Sequence, residues 1–231
     1  MDLKDEETFQ YLPSELTTKE DIILTPEYMR IASQPSSKSS NPSPKLIVLD
    51  LNGTLLHRKK RKKGKYRVDP RPFINEFLEY LFNVDTFSIM IWSSARPENV
   101  DRMVREIFGN YRERLMAIWG RDKFGLSEEE FFTNFKPIKN LEIVWKEFNE
   151  KNGSNFDGRK KEFNQTNTIL IDDSPYKAQL QPFNAIHLSE FERNEEDREL
   201  LKIIEYLKLI KYQSNVSTFI KEHPFNAKSE N

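Results

Sequence analysis

The run Leu46-Ile47-Val48-Leu49-Asp50-Leu51-Asn52-Gly53-Thr54-Leu55-Leu56 leaves few folds open to this chain. Four apolar residues lead into an aspartate, and a Gly-Thr turn follows at once. A continuous apolar run of this length suits a strand covered on both faces of a parallel sheet. A carboxylate at its end lands on the sheet edge where α/β folds bind ligands. Two residues further on the side chain is an amide, Asn52, where a second acid would have served proton transfer.

Two more runs repeat the pattern, Phe87-Ser88-Ile89-Met90-Ile91-Trp92-Ser93 and Thr168-Ile169-Leu170-Ile171-Asp172. Between them lie segments with helical spacing. Arg71 to Asn83 places Phe73, Phe77, Leu78, Leu81 and Phe82 on a helical period. Pro97 to Phe108 opens on a proline suited to a first helical turn. Leu141 to Asn149 is a third helix, and residues 195–210 form a fourth through Leu200, Leu201, Ile204, Leu207 and Leu209. This alternation predicts an α/β domain with a mostly parallel central sheet flanked by helices.

The domain is expected over residues 45–220, with a tail at 221–231. Residues 1–32 read as an extension able to dock on the domain or on a partner. Residues 33–44, rich in Ser and Pro, read as a flexible linker. Residues 150–167 are polar and read as a surface insertion. The 231 residues suffice for one such domain with extensions. The absence of cysteine excludes disulfides, thiolate metal sites and cysteine nucleophiles. The three histidines, His57, His187 and His223, are not spaced as a metal cluster. A net charge of -1 points to no partner by itself. No apolar stretch approaches the roughly 20 residues of a membrane span. The acidic start, Met1 to Glu7, argues against a signal peptide or a mitochondrial presequence.

Asp50, Ser93 and the pair Asp172-Asp173 each sit where an apolar strand stops, so a parallel sheet gathers them on one edge. Clustered carboxylates call for a counter-ion, and Mg²⁺ suits oxygen donors together with phosphate. A strand-end carboxylate beside such an ion can attack phosphorus and form an aspartyl-phosphate. A lysine is then wanted against the transferring group. Lys139 is favoured over Lys136 for that task, and either Ser93 or its neighbour Ser94 could face the site and bind substrate.

The chain resembles the haloacid dehalogenase (HAD) superfamily. More closely, it resembles the FCP-homology or NLI-interacting-factor-like phosphatases that act on the C-terminal domain of RNA polymerase II. Five stretches carry the resemblance: Leu49 to Leu55, Ile91-Trp92-Ser93-Ser94-Ala95, Lys139-Asn140-Leu141, Ile169-Leu170-Ile171-Asp172-Asp173-Ser174-Pro175 and Pro182-Phe183-Asn184-Ala185-Ile186. Glu199-Leu200-Leu201 resembles the family's closing helix. The resemblance implies a HAD-like Rossmannoid fold without a large cap, open to a phosphoprotein. It implies Asp50 as nucleophile, Mg²⁺ held by Asp50, the Asn52 carbonyl and Asp173 with Asp172 in support, Ser93 and Lys139 on the phosphoryl group, and Thr54 bracing the loop. It also implies a small substrate-recognition insertion around Trp119 to Phe135, which this chain matches only loosely.

Active members of that family have an aspartate where this chain has Asn52. An amide exchanges no proton near neutral pH, and losing a general acid–base group costs about 10²–10⁴ in rate. The expectation is a domain that acts on or binds phosphoserine or phosphothreonine protein with weak or lost catalysis. A catalytically inactive pseudophosphatase scaffold holding a phosphorylated partner is the alternative. His57 is a weak candidate for a substitute proton donor, and His187 reads as a strand-edge residue. The basic run from Arg58 to Arg67, with Lys59, Lys60, Arg61, Lys62 and Lys63 at its centre, reads as a solvated loop that leaves the first motif and is placed near the site mouth. It suits a phosphorylated tail or RNA, and it also resembles a nuclear localisation signal. The chain is therefore expected in the nucleus or cytoplasm, with the nucleus favoured.

Overall fold

The computed structural model describes residues 22–60, 66–151 and 162–225. The chain opens with α1 (Pro26–Ile31) and enters the sheet at β1 (Lys45–Leu49). A two-stranded antiparallel hairpin follows, β2 (Leu56–Lys60) and β3 (Tyr66–Pro70). Then come α2 (Ile74–Asn83), β4 (Phe87–Trp92), α3 (Pro97–Phe108), β5 (Ala117–Trp119), α4 (Glu128–Phe132), α5 (Leu141–Lys151), β6 (Thr168–Asp172), β7 (Ala185–His187), α6 (Glu199–Ile210) and α7 (Val216–Glu222).

Five strands form one parallel sheet in the order β5-β4-β1-β6-β7. The expected α/β architecture, a parallel central sheet with helices on both faces, is what the chain adopts. β1 lies at the centre, with Leu49 paired to Ile91 of β4 and Ile171 of β6. Alternation along the strands sorts the core into two layers. Ile47, Leu49, Ile89, Ile91, Ile169 and Ile171 face the layer built with α2, α3 and α6. Leu46, Val48, Met90, Trp92 and Leu170 face the other, with Trp119, Phe124, Val144, Phe148 and Phe163. Among the described residues, only the hairpin and α2 lie between β1 and β4, so no large cap is inserted there.

Several elements differ from the sequence expectation. The second helix begins at Ile74 because Phe73 adopts φ 64°, a left-handed conformation that interrupts helical geometry. The Ser/Pro stretch 33–44, expected as a flexible linker, is tied to the turn between α6 and α7. There the Ser39 amide donates to the Tyr212 carbonyl, the Ser43 amide to the Lys211 carbonyl and the Ser214 amide to the Ser37 carbonyl. Tyr28 of α1 is buried, donates its hydroxyl to Asn184 Oδ1 at 3.0 Å and accepts from the Phe183 amide at 2.9 Å. The basic run expected as a loop instead supplies β2 and the start of β3, with Arg58 stacked 4.6 Å from the Tyr66 ring centroid. Its central residues Arg61, Lys62 and Lys63 lie outside the described residues. Of the polar stretch 150–167, residues 152–161 lie outside them too. Within 162–167, Glu162 and Asn164 are exposed, but Phe163 and Gln165 are buried, and the Phe163 backbone exchanges two 2.9 Å hydrogen bonds with the Asn149 amide group.

Candidate active site

β1 and β6 are neighbours, so Asp50, just past β1, and Asp172, at the end of β6, leave the sheet side by side. Asp173 follows, and one oxygen from each of the three acids lies within 4.8 Å of the others. The loop after β1 is shaped around Asp173. Thr54 Oγ1 donates to Asp173 Oδ1 at 2.8 Å and accepts from the Asp173 amide at 3.0 Å. Gly53 lies at φ 87°, and a Cβ there would come within 2.8 Å of the Asp173 carboxyl. Only glycine meets both demands.

Two lysines offset part of this negative charge. Lys139 Nζ, wholly buried ahead of α5, lies 2.6 Å from Asp172 Oδ2 and 3.1 Å from Asp50 Oδ1. Lys177 Nζ, on a short 3-10 turn at Pro175–Ala178, lies 2.9 Å from Asp50 Oδ2 and 3.0 Å from Asp172 Oδ1. Burial alone would raise the Asp50 pKa, but Lys139 and Lys177 outweigh it and hold the carboxyl below the ordinary range. Burial would likewise lower the Lys177 ammonium, yet Asp50, Asp172 and Asp173 together raise it above the usual lysine value. Asp173 behaves oppositely to Asp50. Burial pushes it up to about 6, against the pull of Lys177 and with the support of the Asp50 and Asp172 charges. Asp50 Oδ1 is buried and accepts no hydrogen bond. Its near neighbour is the Lys139 ammonium at 3.1 Å, an ion-pair contact.

Ser93 is buried and Ser94 half-buried at the carboxyl end of β4, next to the β1 terminus. Lys136 is exposed, whereas Lys139 reaches the acids. Asn52 is exposed, and its Oδ1 accepts from the Arg58 amide at 2.8 Å, so the side chain is tied to the root of the β2–β3 hairpin. His57 lies on β2 opposite Asp69, and His187 ends β7 with its ring 3.3 Å from the Asp172 carbonyl. Lys59 is exposed on β2. Around the expected recognition insertion, buried Arg121 donates to the carbonyls of Glu130, Phe131, Thr133 and Phe135 and so fixes the path after α4. Phe132 is left 61% exposed there under the Arg96 guanidinium, 5.2 Å away.

Two residues of the site escape the sequence reading. Lys177 lies four residues after Asp173, within the stretch that carries the strongest motif, and only the turn at Pro175 folds it back onto the acids. Arg71 is buried, donates to the Thr54 carbonyl at 2.9 Å and the Ser189 carbonyl at 3.0 Å, and pairs with Asp197 at 2.7 Å and Glu199 at 3.4 Å. It links the loop after β1 to the start of α6. Its signal was an arginine inside a segment read as an ordinary amphipathic helix.

The donors suit a hard divalent cation such as Mg²⁺. They are carboxylate oxygens of three acids gathered within 4.8 Å of one another, and an ammonium already stands among them where positive charge is wanted. The residues that would hold it are Asp50, Asp172 and Asp173.

The family model described as NLI interacting factor-like phosphatase matches residues 45–217. An FCP1 homology domain-containing protein of Schizosaccharomyces pombe is 34% identical over 213 residues, which cover 87% of this chain and 85% of that protein. Ubiquitin-like domain-containing CTD phosphatase 1 of Danio rerio is 26% identical over 196 residues, covering 79% of this chain and 54% of the relative. The human protein of that name is 26% identical over 181 residues, covering 72% and 49%. The chain thus spans about half the length of these CTD phosphatases. The solved fission yeast RNA polymerase II CTD phosphatase Fcp1-R271A bound to beryllium fluoride aligns at 13% identity and a TM-score of 0.46, over 71% of this chain and 51% of that one. No described helix is long and apolar enough to cross a membrane.

Proposed function

Because the chain belongs to the NLI interacting factor-like phosphatase family, we propose that its domain engages phosphoserine or phosphothreonine protein through Asp50, with turnover restricted by Asn52. The observation that carries this reading is the state of Asp50. It is buried at the end of the central strand, held ionised by two lysines, and keeps one oxygen without a hydrogen bond. That is the condition of a carboxylate nucleophile.

In this reading Asp50 Oδ1 attacks phosphorus, the bond to the seryl or threonyl oxygen breaks, and Asp50 carries the phosphoryl group. Lys139, 3.1 Å from that oxygen, offsets charge on the transferring group. Ser93 orients the phosphoryl oxygens, and Thr54 holds Asp173 in place. A divalent ion bound at the acids would supply further positive charge against the phosphoryl oxygens. The leaving oxygen needs a proton and the water that frees Asp50 needs a base. Asn52 supplies neither, and its Oδ1 is already committed to the Arg58 amide. The phospho-aspartate is therefore long-lived.

A second reading, a pseudophosphatase scaffold that holds a phosphorylated partner without turnover, draws on the same tie between Asn52 and Arg58. The names of the CTD phosphatase relatives support a phosphoprotein ligand and a nuclear setting. The exposed basic face of β2 offers a polyanion such as RNA a further contact.

The test is Mg²⁺-dependent hydrolysis of an aryl phosphate by wild type, Asp50→Asn and Asn52→Asp, with intact mass spectra taken alongside. The proposal expects phosphorylated Asp50 in the wild type, and steady turnover raised about 10²–10⁴-fold in Asn52→Asp. Asp50→Asn should be silent in both measurements. Wild-type turnover equal to that of Asn52→Asp would contradict the role given to Asn52.

A further inference from the structure

The ammonium of Lys177 is near every acid of the site. It lies 2.9 Å from Asp50 Oδ2, 3.0 Å from Asp172 Oδ1 and 3.9 Å from Asp173 Oδ1. A Mg²⁺ ion drawing on the same oxygens would need them at about 2.0–2.1 Å. A carboxylate oxygen has lone pairs for more than one partner, but an ammonium and a divalent ion on the same oxygens repel, so each weakens the hold of the other.

We propose that Lys177 is a tethered counter-ion that competes with divalent metal for Asp50, Asp172 and Asp173 and leaves the cluster when metal binds. The proposal rests on the reading of these acids as a metal site. Lys139 is not suited to that part. Its side chain is fully buried, whereas that of Lys177 keeps 15% of its surface exposed and has solvent to move into. The Lys177 backbone is anchored independently of its side chain, because its carbonyl accepts from the Lys139 amide at 2.8 Å. The ammonium can therefore depart without unmaking the turn. Four rotatable carbons and a strongly hydrated head group suit a lysine to this exchange. The acids are thus partly neutralised before metal arrives, and metal affinity is lowered in return. The device belongs to this chain's own turn after Asp173, and it sets a metal threshold for the site.

The experiment has two arms on the full chain. In the first, Mn²⁺ binding is measured by the electron paramagnetic resonance signal of the free ion, for wild type, Lys177→Met and Lys177→Arg. Removing a competing charged contact should tighten binding at least about tenfold in Lys177→Met, while Lys177→Arg stays near or below wild type. In the second arm the wild type alone is acetylated with a water-soluble amine reagent and mapped by mass spectrometry. Labelling of Lys177 should rise as Mn²⁺ saturates, while that of Lys139 stays low. This arm holds even if Lys177→Met folds poorly. Wild type binding Mn²⁺ as tightly as Lys177→Met, or Lys177 labelling that stays level or falls on saturation, overturns the inference and leaves the proposed function standing. Absence of Mn²⁺ binding in both wild type and Lys177→Met overturns the inference together with the metal reading of the site.

Discussion

Lys139 and Lys177 each bridge the same two carboxylates, Asp50 and Asp172, and are also joined through the main chain, where the Lys139 amide donates to the Lys177 carbonyl at 2.8 Å. The end of β1, the segment before α5 and the turn after β6 are thereby fixed to one another by a few atoms. Lys139 is the buried half of the arrangement. Removing one partner of a buried ion pair strands the other and typically costs about 3–5 kcal/mol. Lys139→Met is therefore expected to lose about that much stability in urea unfolding without added metal. The double variant Lys139→Met/Asp172→Asn should recover part of the loss. A single-variant loss below about 1 kcal/mol would mean that solvent already reaches this pair.

Gly53 makes a sharper test of geometry. Alanine there must adopt φ 87° and place a Cβ within 2.8 Å of the Asp173 carboxyl. The backbone term alone is about 1–3 kcal/mol. The clash also pushes Asp173 off Thr54, so Gly53→Ala should lose Mn²⁺ affinity as well as thermal stability. Normal metal binding in a destabilised Gly53→Ala would show that Asp173 is free to shift aside.

The parts of the molecule built on burial were legible before any coordinates. β1, β4 and β6 are continuous apolar runs, and their parallel pairing follows from the helices between them. Asp50, Asp172 and Asp173 lie together because strand ends fix their positions, and Lys139 reaches them from the segment before α5. β5 and β7, three residues each, are too short to carry a period. The hairpin escaped because its basic residues read as a solvated loop, whereas the strands are held by pairing with each other. The Ser/Pro stretch carries no apolar signal, and its order comes from backbone hydrogen bonds to residues 211–214. Lys177 and Arg71 are charged side chains whose partners lie up to 128 positions away, a relation that no local pattern encodes.

Arg71 offers a prediction about positioning. Its guanidinium is buried between Asp197, Glu199 and two carbonyls, one of them that of Thr54. Arg71→Met leaves two acids near α6 without their cation, and the expected cost is about 3–5 kcal/mol in denaturant unfolding. Arg71→Lys keeps the charge but loses the planar fork, so it should recover only part of that loss. Full recovery by lysine would mean that charge alone, and not the bond to the Thr54 carbonyl, is what the loop requires.

Asp173 and Asp50 give the site opposite responses to pH. Burial raises Asp173 from 3.8 to about 6, so the folded chain holds a proton there more tightly than the unfolded chain does. Its contribution to stability is complete below 3.8 and is lost as pH rises through about 6. Asp50 is depressed by Lys139 and Lys177, so its contribution is present above the ordinary carboxylate value and is lost only as pH falls well below it. Between 3.8 and about 6, then, stability without added metal should fall because of Asp173 while Asp50 stays ionised. Asp173→Asn should flatten that part of the profile. Metal binding needs the carboxylate of Asp173, so in the wild type Mn²⁺ affinity should climb over the same interval and level off above it. Urea unfolding midpoints and Mn²⁺ titrations across this range check both slopes. A wild-type stability that instead rises through about 6 would place the Asp173 proton on the unfolded chain and reverse the assignment.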